Sequence, residues 1–271
     1  MNNALFIIII FAILLFLIFA LRKFKTPKLS CMTLVSGGVK SGKSTLAVHF
    51  ALSEHKKRVR RVKVRNFFAR LLHKTEEPLP LLYSNIPLNC DYVQLTDDLL
   101  LRKKRFVYGS TIYVCESSLV ADSQLVRDMD INERLLLFNK LIGHSTKGGN
   151  IIYDTQCISD CHYSIKRCLS EYYYIHHLVK CFPFFLIAYV REDRYSDDGS
   201  TLNINDRDTE ESLKKILIPK KIWKFFDCYC YSVLTDDLPV ENHVKHGKCK
   251  SLKATNIVSF RHFHSIKNDK E

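Results

Sequence analysis

Residues 31–45 read CMTLVSGGVKSGKST, and a helix-like run, LAVHFAL, follows at 46–52. The pattern G-x-x-x-x-G-K-S lies between Gly37 and Ser44, directly after a short apolar strand. Gly37 and Gly42 allow the backbone to turn so that successive N–H groups point at phosphate oxygens. The following helix adds its positive N-terminal end. Because strand, loop and helix occur in this order, the stretch indicates a phosphate-binding loop rather than a Gly/Ser-rich surface turn.

The residue types of this loop predict ATP and Mg²⁺ as its cofactors. Lys43 would neutralise phosphate charge, and the Ser44 hydroxyl would ligate Mg²⁺. Lys40 lies inside the loop, where it either touches phosphate or is solvated. The positions expected to bind nucleotide are Gly37, Gly38, Val39, Lys40, Ser41, Gly42, Lys43, Ser44 and Thr45.

A phosphate loop also needs an acid at the end of a neighbouring strand, to organise Mg²⁺ and the attacking water. The strand TIYV at 111–114 is followed by Cys115 and Glu116, where a strand ending in Asp-Glu is expected. A neutral thiol is a poor partner for Mg²⁺. Glu116 is therefore predicted either as general base or as the residue that organises the metal.

Three further residues complete the predicted site. Asp154 ends the apolar strand NIIYD and could supply the missing metal ligand, or it could cap a turn. Gln156 follows the same strand and suits a sensor of the γ-phosphate or water, because strand ends line the ligand crevice in open α/β sheets. Arg167, on a predicted short helix, could reach the nucleotide of a neighbouring subunit, or it is a solvated helix charge.

The order of strands and helices predicts an α/β P-loop NTPase with a mostly parallel sheet, flanked by helices and carrying an antiparallel edge. We expect this domain over residues 31–235. Residues 55–75 form a basic stretch after a helix that ends near residue 54. Asp198-Gly199 predicts a hairpin between strands at 184–191 and 201–204. Residues 236–271 form a polar tail.

Residues 4–21, ALFIIIIFAILLFLIFAL, predict one transmembrane helix before the domain. As a helix they span about 27 Å, close to the hydrocarbon thickness of a bilayer. A cleaved signal peptide would need a basic start, which Met1-Asn2-Asn3 lacks. The basic flank that follows places the N-terminus outside and the rest of the chain in the cytoplasm. Residues 1–30 are thus expected to be a single-pass anchor in the inner (cytoplasmic) membrane.

Charge and cysteine usage support a cytoplasmic domain beside an acidic surface. The chain has 41 Lys+Arg and 28 Asp+Glu, a net charge of +13, and residues 22–75 hold 15 of the basic residues but one acid, Glu54. Its ten cysteines include no C-x-x-C pair, which favours free thiols in a reducing compartment. The basic stretch 56–74 contains Phe67 and Phe68, and the composition fits either lipid headgroups or single-stranded DNA.

The phosphate loop, the segment LYSNIPL at 82–88, the strand end YVCESS at 113–118 and Thr155-Gln156 together resemble the zonular occludens toxin-like (Zot-like) family of filamentous-phage assembly ATPases. The resemblance covers roughly residues 31–235. It implies an inner-membrane ATPase that drives assembly and extrusion of the virion. By motif, Lys43 and Ser44 would bind nucleotide and Mg²⁺, Glu116 would be the second acid, and Gln156 the sensor.

The partners expected on this reading are the membrane, further copies of the chain, and phage coat or secretin-like assembly proteins. Two other functions fit the same residues. One is a DNA-translocating or packaging motor. The other is a membrane scaffold that binds nucleotide without hydrolysing it, which Cys115 would permit. Single-stranded DNA is a further candidate partner of the chain.

Overall fold

A computed structural model describes residues 11, 27–96, 99, 105–117, 129–181, 183–194 and 213–226. Apart from position 11, the predicted anchor at 4–21 lies outside these residues, as do the hairpin around 198–204 and the tail at 236–271. Among the helices within the described part of the chain, none is long and apolar enough to span a bilayer.

The described strands form one eight-stranded sheet in the order β3-β2-β4-β5-β1-β6-β7-β8. The strands are β1 (Met32–Ser36), β2 (Leu82–Ser84), β3 (Val93–Gln94), β4 (Thr111–Val114), β5 (Asn150–Thr155), β6 (Glu171–Cys181), β7 (Phe185–Arg194) and β8 (Lys214–Pro219). The pairs from β3 through β6 are parallel, and β7 and β8 add an antiparallel edge. The mostly parallel α/β prediction is therefore confirmed.

Strand β5 lies between β1 and β4, so it separates the phosphate-loop strand from the strand that precedes Glu116. Ser36 at the end of β1 is level with Thr155 at the end of β5. Val114 at the end of β4 is level with Tyr153. Parallel strands end at the same edge of a sheet, and this register therefore brings the phosphate loop, Glu116 and Asp154 to one edge.

Helices cover both faces of the sheet. They are α1 (Lys43–Leu71), α2 (Met129–Lys140), α3 (Ile142–Ser145) and α4 (Tyr163–Cys168), with 3₁₀ helices at Ile158–Asp160 and Lys220–Lys224. The first half of α1, including Phe50, packs with Ile152 and Tyr173 on one face. Phe138 of α2 and Ile165 of α4 pack with Ile151 on the other.

Helix α1 is much longer than the sequence predicted. It continues over 29 residues instead of ending near residue 54. Residues 43–71 contain neither Gly nor Pro, and Lys, Arg, Ala and Leu favour the helix. The basic stretch is therefore the second half of α1.

The structure divides one smaller predicted element and leaves another outside the described residues. Strand β7 pairs antiparallel with both β6 and β8, and the predicted hairpin strand at 201–204 lies outside the described residues. The predicted helix at 159–167 is divided into a 3₁₀ turn and α4, whose N-cap is His162. The described cysteines are free thiols, as expected.

Candidate nucleotide site

The backbone of the phosphate loop at residues 37–42 requires the two glycines of the G-x-x-x-x-G-K-S pattern. Gly42 precedes α1 with a φ of 95°, in the left-handed region. A Cβ at Gly37 would lie 2.4 Å from Ile175 Cγ2 and 2.8 Å from the Ile175 carbonyl oxygen. Ile175 stands at a register irregularity of β6, and Leu178 of the same strand packs against Gly42. Strand β6 thus forms a wall behind the loop.

The loop presents polar groups suited to an anion. The Ser41 amide donates to the Gly38 carbonyl oxygen at 3.1 Å, which closes a tight turn. The Ser41 hydroxyl is buried and has no hydrogen-bond partner among the described residues. This orphaned hydroxyl, the close glycine backbone and the start of α1 together fit a phosphate group.

Lys43 lies in the first turn of α1 and forms an ion pair with Glu116. The Lys43 side chain is 9% exposed and that of Glu116 is 19% exposed. Burial alone lowers the pKa of Lys43, but the carboxylates of Asp154 and Glu116 outweigh it and raise the pKa. The structure therefore holds a charged ammonium between two acids from neighbouring strands.

Asp154 is fully buried and holds the turn that follows β4. Its Oδ1 accepts a hydrogen bond from the Glu116 amide at 2.5 Å, and its Oδ2 accepts one from the Tyr113 hydroxyl at 2.8 Å. Asp154 therefore does more than cap a turn in its own loop. It connects β5 to the turn carrying Glu116, whose φ of 48° is unusual for a non-glycine residue.

Asn85 is a site residue whose role the sequence did not reveal. Its side-chain amide donates to the Cys115 carbonyl oxygen at 2.9 Å, and its Oδ1 accepts from the Cys115 amide at 2.7 Å. Both bonds fix the backbone one residue before Glu116. This contact gives a structural reason for the asparagine in the segment LYSNIPL. The signal in the sequence is that Asn85 directly follows a buried strand, where polar side chains tend to belong to a site.

Cys115 lies inside the core rather than in the crevice. It packs in the same cluster as Ile86 and Tyr113. Burial raises the pKa of the Cys115 thiol well above its usual value, and Asp154 raises it further. The thiol stays protonated, consistent with the expectation that it does not ligate Mg²⁺.

The remaining predicted residues occupy varied positions around this cluster. Ser44 is half-buried in the first turn of α1, and Thr45 Oγ1 accepts a 3.3 Å hydrogen bond from Trp223. Gln156 is exposed directly after β5, at the same edge as the loop. Arg167 is exposed near the end of α4, outside the cluster. The exposed loop positions are Gly38, Val39 and Lys40, of which Lys40 has a φ of 62°.

Several solved structures have a similar fold. The N-terminal domain of zonular occludens toxin from Neisseria meningitidis is 13% identical, and the match covers 74% of this chain and 100% of that domain with a TM-score of 0.44. At this identity the likeness is one of fold alone.

Two further solved structures have a similar fold. The genome packaging NTPase B204 from Sulfolobus turreted icosahedral virus 2, in complex with AMP, is 10% identical, with coverage of 60% and 96% and a TM-score of 0.33. The KaiC-like protein PH0186 from Pyrococcus horikoshii OT3 is 15% identical, with coverage of 70% and 88% and a TM-score of 0.35. No family model matches the sequence, and no curated protein matches it either.

The site has the residues that a magnesium-bound nucleoside triphosphate requires. The loop backbone and Lys43 would hold phosphate oxygens, and Ser44, beside Lys43, would offer its hydroxyl to Mg²⁺. Glu116 is the carboxylate at the rim of the cluster, whereas Asp154 lies behind it with both oxygens hydrogen-bonded. The roles of Glu116, Asp154 and Ser44 as metal ligands, and of Gln156 and Arg167 in catalysis, remain predictions.

Proposed function

We propose that the chain is a membrane-anchored P-loop ATPase that binds and hydrolyses ATP to drive assembly and extrusion of a filamentous phage. The proposal that the chain binds ATP is supported above all by the largely buried Lys43–Glu116 ion pair, which lies at the same sheet edge as the phosphate loop. The phage part is supported by the motifs shared with the Zot-like family. The membrane part is supported by the apolar run at 4–21.

The chemistry we propose uses residues that the fold already brings together. The loop amides and Lys43 bind the phosphates, and bound Mg²⁺ would stabilise negative charge on them. Glu116 accepts a proton from the attacking water. Asp154 and Asn85 act as positioning residues, because they hold the backbone of the turn that carries Glu116.

The position of Cys115 bears on the rival scaffold reading, in which ATP is bound but not hydrolysed. Position 115 is a buried cysteine, so the site lacks the acid that is expected at the end of β4. Asp154 supplies a second carboxylate beside Lys43 from the neighbouring strand. We infer that Glu116 is the acid that serves hydrolysis and that Asp154, with both oxygens hydrogen-bonded, orients it, so hydrolysis is retained without an Asp at position 115.

The test compares two lysines of the same helix in the full chain, reconstituted in vesicles. Lys43→Ala should abolish ATP binding and Mg²⁺-dependent turnover. Lys57→Ala is the matched control, since Lys57 lies four turns further along and pairs with Glu54. Wild-type protein that binds ATP without turnover, also when DNA is present, would favour the scaffold. Turnover stimulated by DNA with a steep salt dependence would favour the translocating motor.

A second experiment tests the phage role. In the phage genome that carries the gene, Lys43→Ala should stop release of virions while intracellular single-stranded DNA and coat protein still accumulate. Release at the wild-type level would contradict the proposal.

A further inference from the structure

The second half of α1 extends beyond the sheet. Strand β1 is 5 residues long and α1 is 29 residues long, or about 16 Å and about 43 Å. The Arg58 guanidinium donates to the Gly148 carbonyl oxygen, two residues before β5 begins, so Arg58 marks the sheet edge opposite the phosphate loop. Residues 59–71 add about 20 Å of helix beyond Arg58, and the returning chain at Glu77 covers part of this length through its bonds to Asn66.

The predicted anchor joins the domain at the same edge. Leu29 is buried, and the Ser30 amide donates to a Glu171 oxygen at 3.1 Å at the start of β6. Residues 22–28 connect Leu29 to the last apolar residue of the anchor. Fully extended, those seven residues reach about 23 Å. This edge of the domain therefore lies no further from the end of the anchor than about the length by which α1 continues beyond Arg58.

The projecting end of α1 combines exposed apolar and basic side chains. Its large apolar side chains that are more than half exposed are Val64, Phe67, Phe68, Leu71 and Leu72. Phe67 and Phe68 are 65% and 54% exposed and contact each other edge to face. An apolar patch of this kind on a soluble domain marks an interaction surface.

The charges around this patch separate into two groups. Arg65 and Arg70 form ion pairs with Glu77 and Glu76 of the returning chain. By contrast, the exposed Arg60, Arg61 and Lys63 have no acidic partner among the residues the structure describes. Unpaired cations beside aromatic and aliphatic side chains are the composition of helices that lie in the interface of anionic membranes.

We propose that the projecting end of α1, residues 59–72, docks on the anionic lipid surface next to the anchor and sets the orientation of the ATPase domain on the membrane. This inference rests on the proposed anchor at 4–21. The composition of residues 56–74 fits either lipid headgroups or single-stranded DNA. The connecting segment favours lipid, because a tether of seven residues keeps this end of the helix near the bilayer. The phosphate loop, at the opposite edge of the sheet, then faces away from the membrane.

The protein offers an internal control for testing this contact by fluorescence. Its single tryptophan, Trp223, donates to Thr45 in the first turn of α1, at the edge of the phosphate loop. Phe67 lies 22 residues further along the helix, about 33 Å away. Full-length Phe67→Trp protein in phosphatidylglycerol vesicles should lose emission when the acyl chains are brominated, whereas wild-type emission should not change. Phe68→Trp provides a second probe if the first variant folds poorly.

Charge variants test the role of the unpaired cations. Arg60→Glu with Arg61→Glu should remove the quenching of the tryptophan at position 67. The matched control is the exchange Arg65→Glu with Glu77→Arg, which preserves the ion pair and the net charge and should keep the quenching.

The results that would overturn the inference differ from those that would overturn the anchor. Protein released from the vesicles by alkaline carbonate would refute the anchor, and with it this inference. Protein that stays inserted without quenching at position 67 would refute the docking alone. Quenching by oligothymidylate but not by brominated lipid would assign the surface to single-stranded DNA, and equal quenching in phosphatidylcholine vesicles would refute recognition of anionic headgroups.

Discussion

Replacing Asn85 with alanine should damage both the stability and the activity of the protein. Asn85 is 9% exposed and makes two hydrogen bonds, of 2.9 Å and 2.7 Å, to the backbone of Cys115. Asn85→Ala leaves that amide and that carbonyl without these partners in a buried strand end. At about 1–3 kcal/mol for each of the two buried polar groups left unpaired, the free energy of unfolding should fall by about 2–6 kcal/mol.

The same change should slow ATP turnover, because Cys115 directly precedes Glu116. A displacement of about 1 Å at a catalytic group can cost about 100-fold in rate. We expect kcat to fall at least about tenfold, with a smaller effect on ATP affinity, since Asn85 does not belong to the phosphate loop. Urea denaturation and steady-state ATPase assays on the same preparations measure the two effects.

Asn66 provides a matched control elsewhere in the fold. It is 8% exposed and makes the same pair of bonds to the backbone of Glu77, at 2.8 Å and 2.9 Å. Glu77 is exposed, so water can replace the lost bonds, and Asn66→Ala should cost only about 1 kcal/mol. Its kcat should equal that of the wild type. A kcat for Asn85→Ala that also equals the wild-type value would refute the positioning role of Asn85.

Three further predictions concern the loop, the pH dependence and the buried thiol. Gly37→Ala should abolish ATP binding, because its Cβ would meet Ile175 at 2.4 Å. Gly38→Ala should bind ATP normally, since nothing lies within 4 Å of a Cβ at that position. Calorimetric titration with ATP distinguishes the two variants. Burial, with Lys57 and Lys56 nearby, lowers the pKa of His49 from 6.5 to about 4, so the unfolded chain gains a proton first as the pH falls. Stability should decline between pH 6.5 and 4 by up to about 3 kcal/mol at this residue, and His49→Phe should flatten that part of the denaturation profile. Cys115→Asp should destabilise the fold by about 3 kcal/mol or more at pH 7, because the new carboxylate would be buried in an apolar cluster beside Asp154. A variant as stable as the wild type would show that the side chain at position 115 can reach solvent or metal.

The order of elements and the phosphate loop could be predicted because their signals are local. Spacing of glycines and a lysine around a strand–helix junction identifies the loop, and short apolar runs identified β1, β4 and β5. The length of α1 was missed because the stretch was interpreted from its charge, although Val64, Phe67, Phe68, Leu71 and Leu72 follow the i, i+3, i+4, i+7, i+8 spacing of a helix. Helix propensity and the absence of Gly or Pro extend that helix regardless of polarity.

The contacts within the site depend on register across strands distant in sequence. Asp154 could be placed at the right sheet edge from its strand, but its bonds to Tyr113 and the Glu116 amide follow from β4 pairing with β5. Similarly, the Asn85 contact requires β2 beside β4. Cys115 also lies on the same face of the sheet as Tyr113, two residues earlier, so its thiol packs in the core. Asn85 of the neighbouring strand end holds its backbone there. No single-strand pattern contains this information.

The pairing of Lys43 with Glu116 allows the most direct test of the central claim, that these two residues form an ATP-hydrolysing site. Because Glu116 holds the Lys43 ammonium, a phosphate group must compete with that carboxylate for it. Glu116→Gln should therefore bind ATP more tightly, by about tenfold if roughly 1.4 kcal/mol of the pairing is released. It should also lose about 10²–10⁴-fold in turnover, as expected when a general base is removed. Measured together on the full-length protein, tighter binding with lost turnover is the predicted result, and unchanged turnover, or weaker binding with turnover retained, would contradict it.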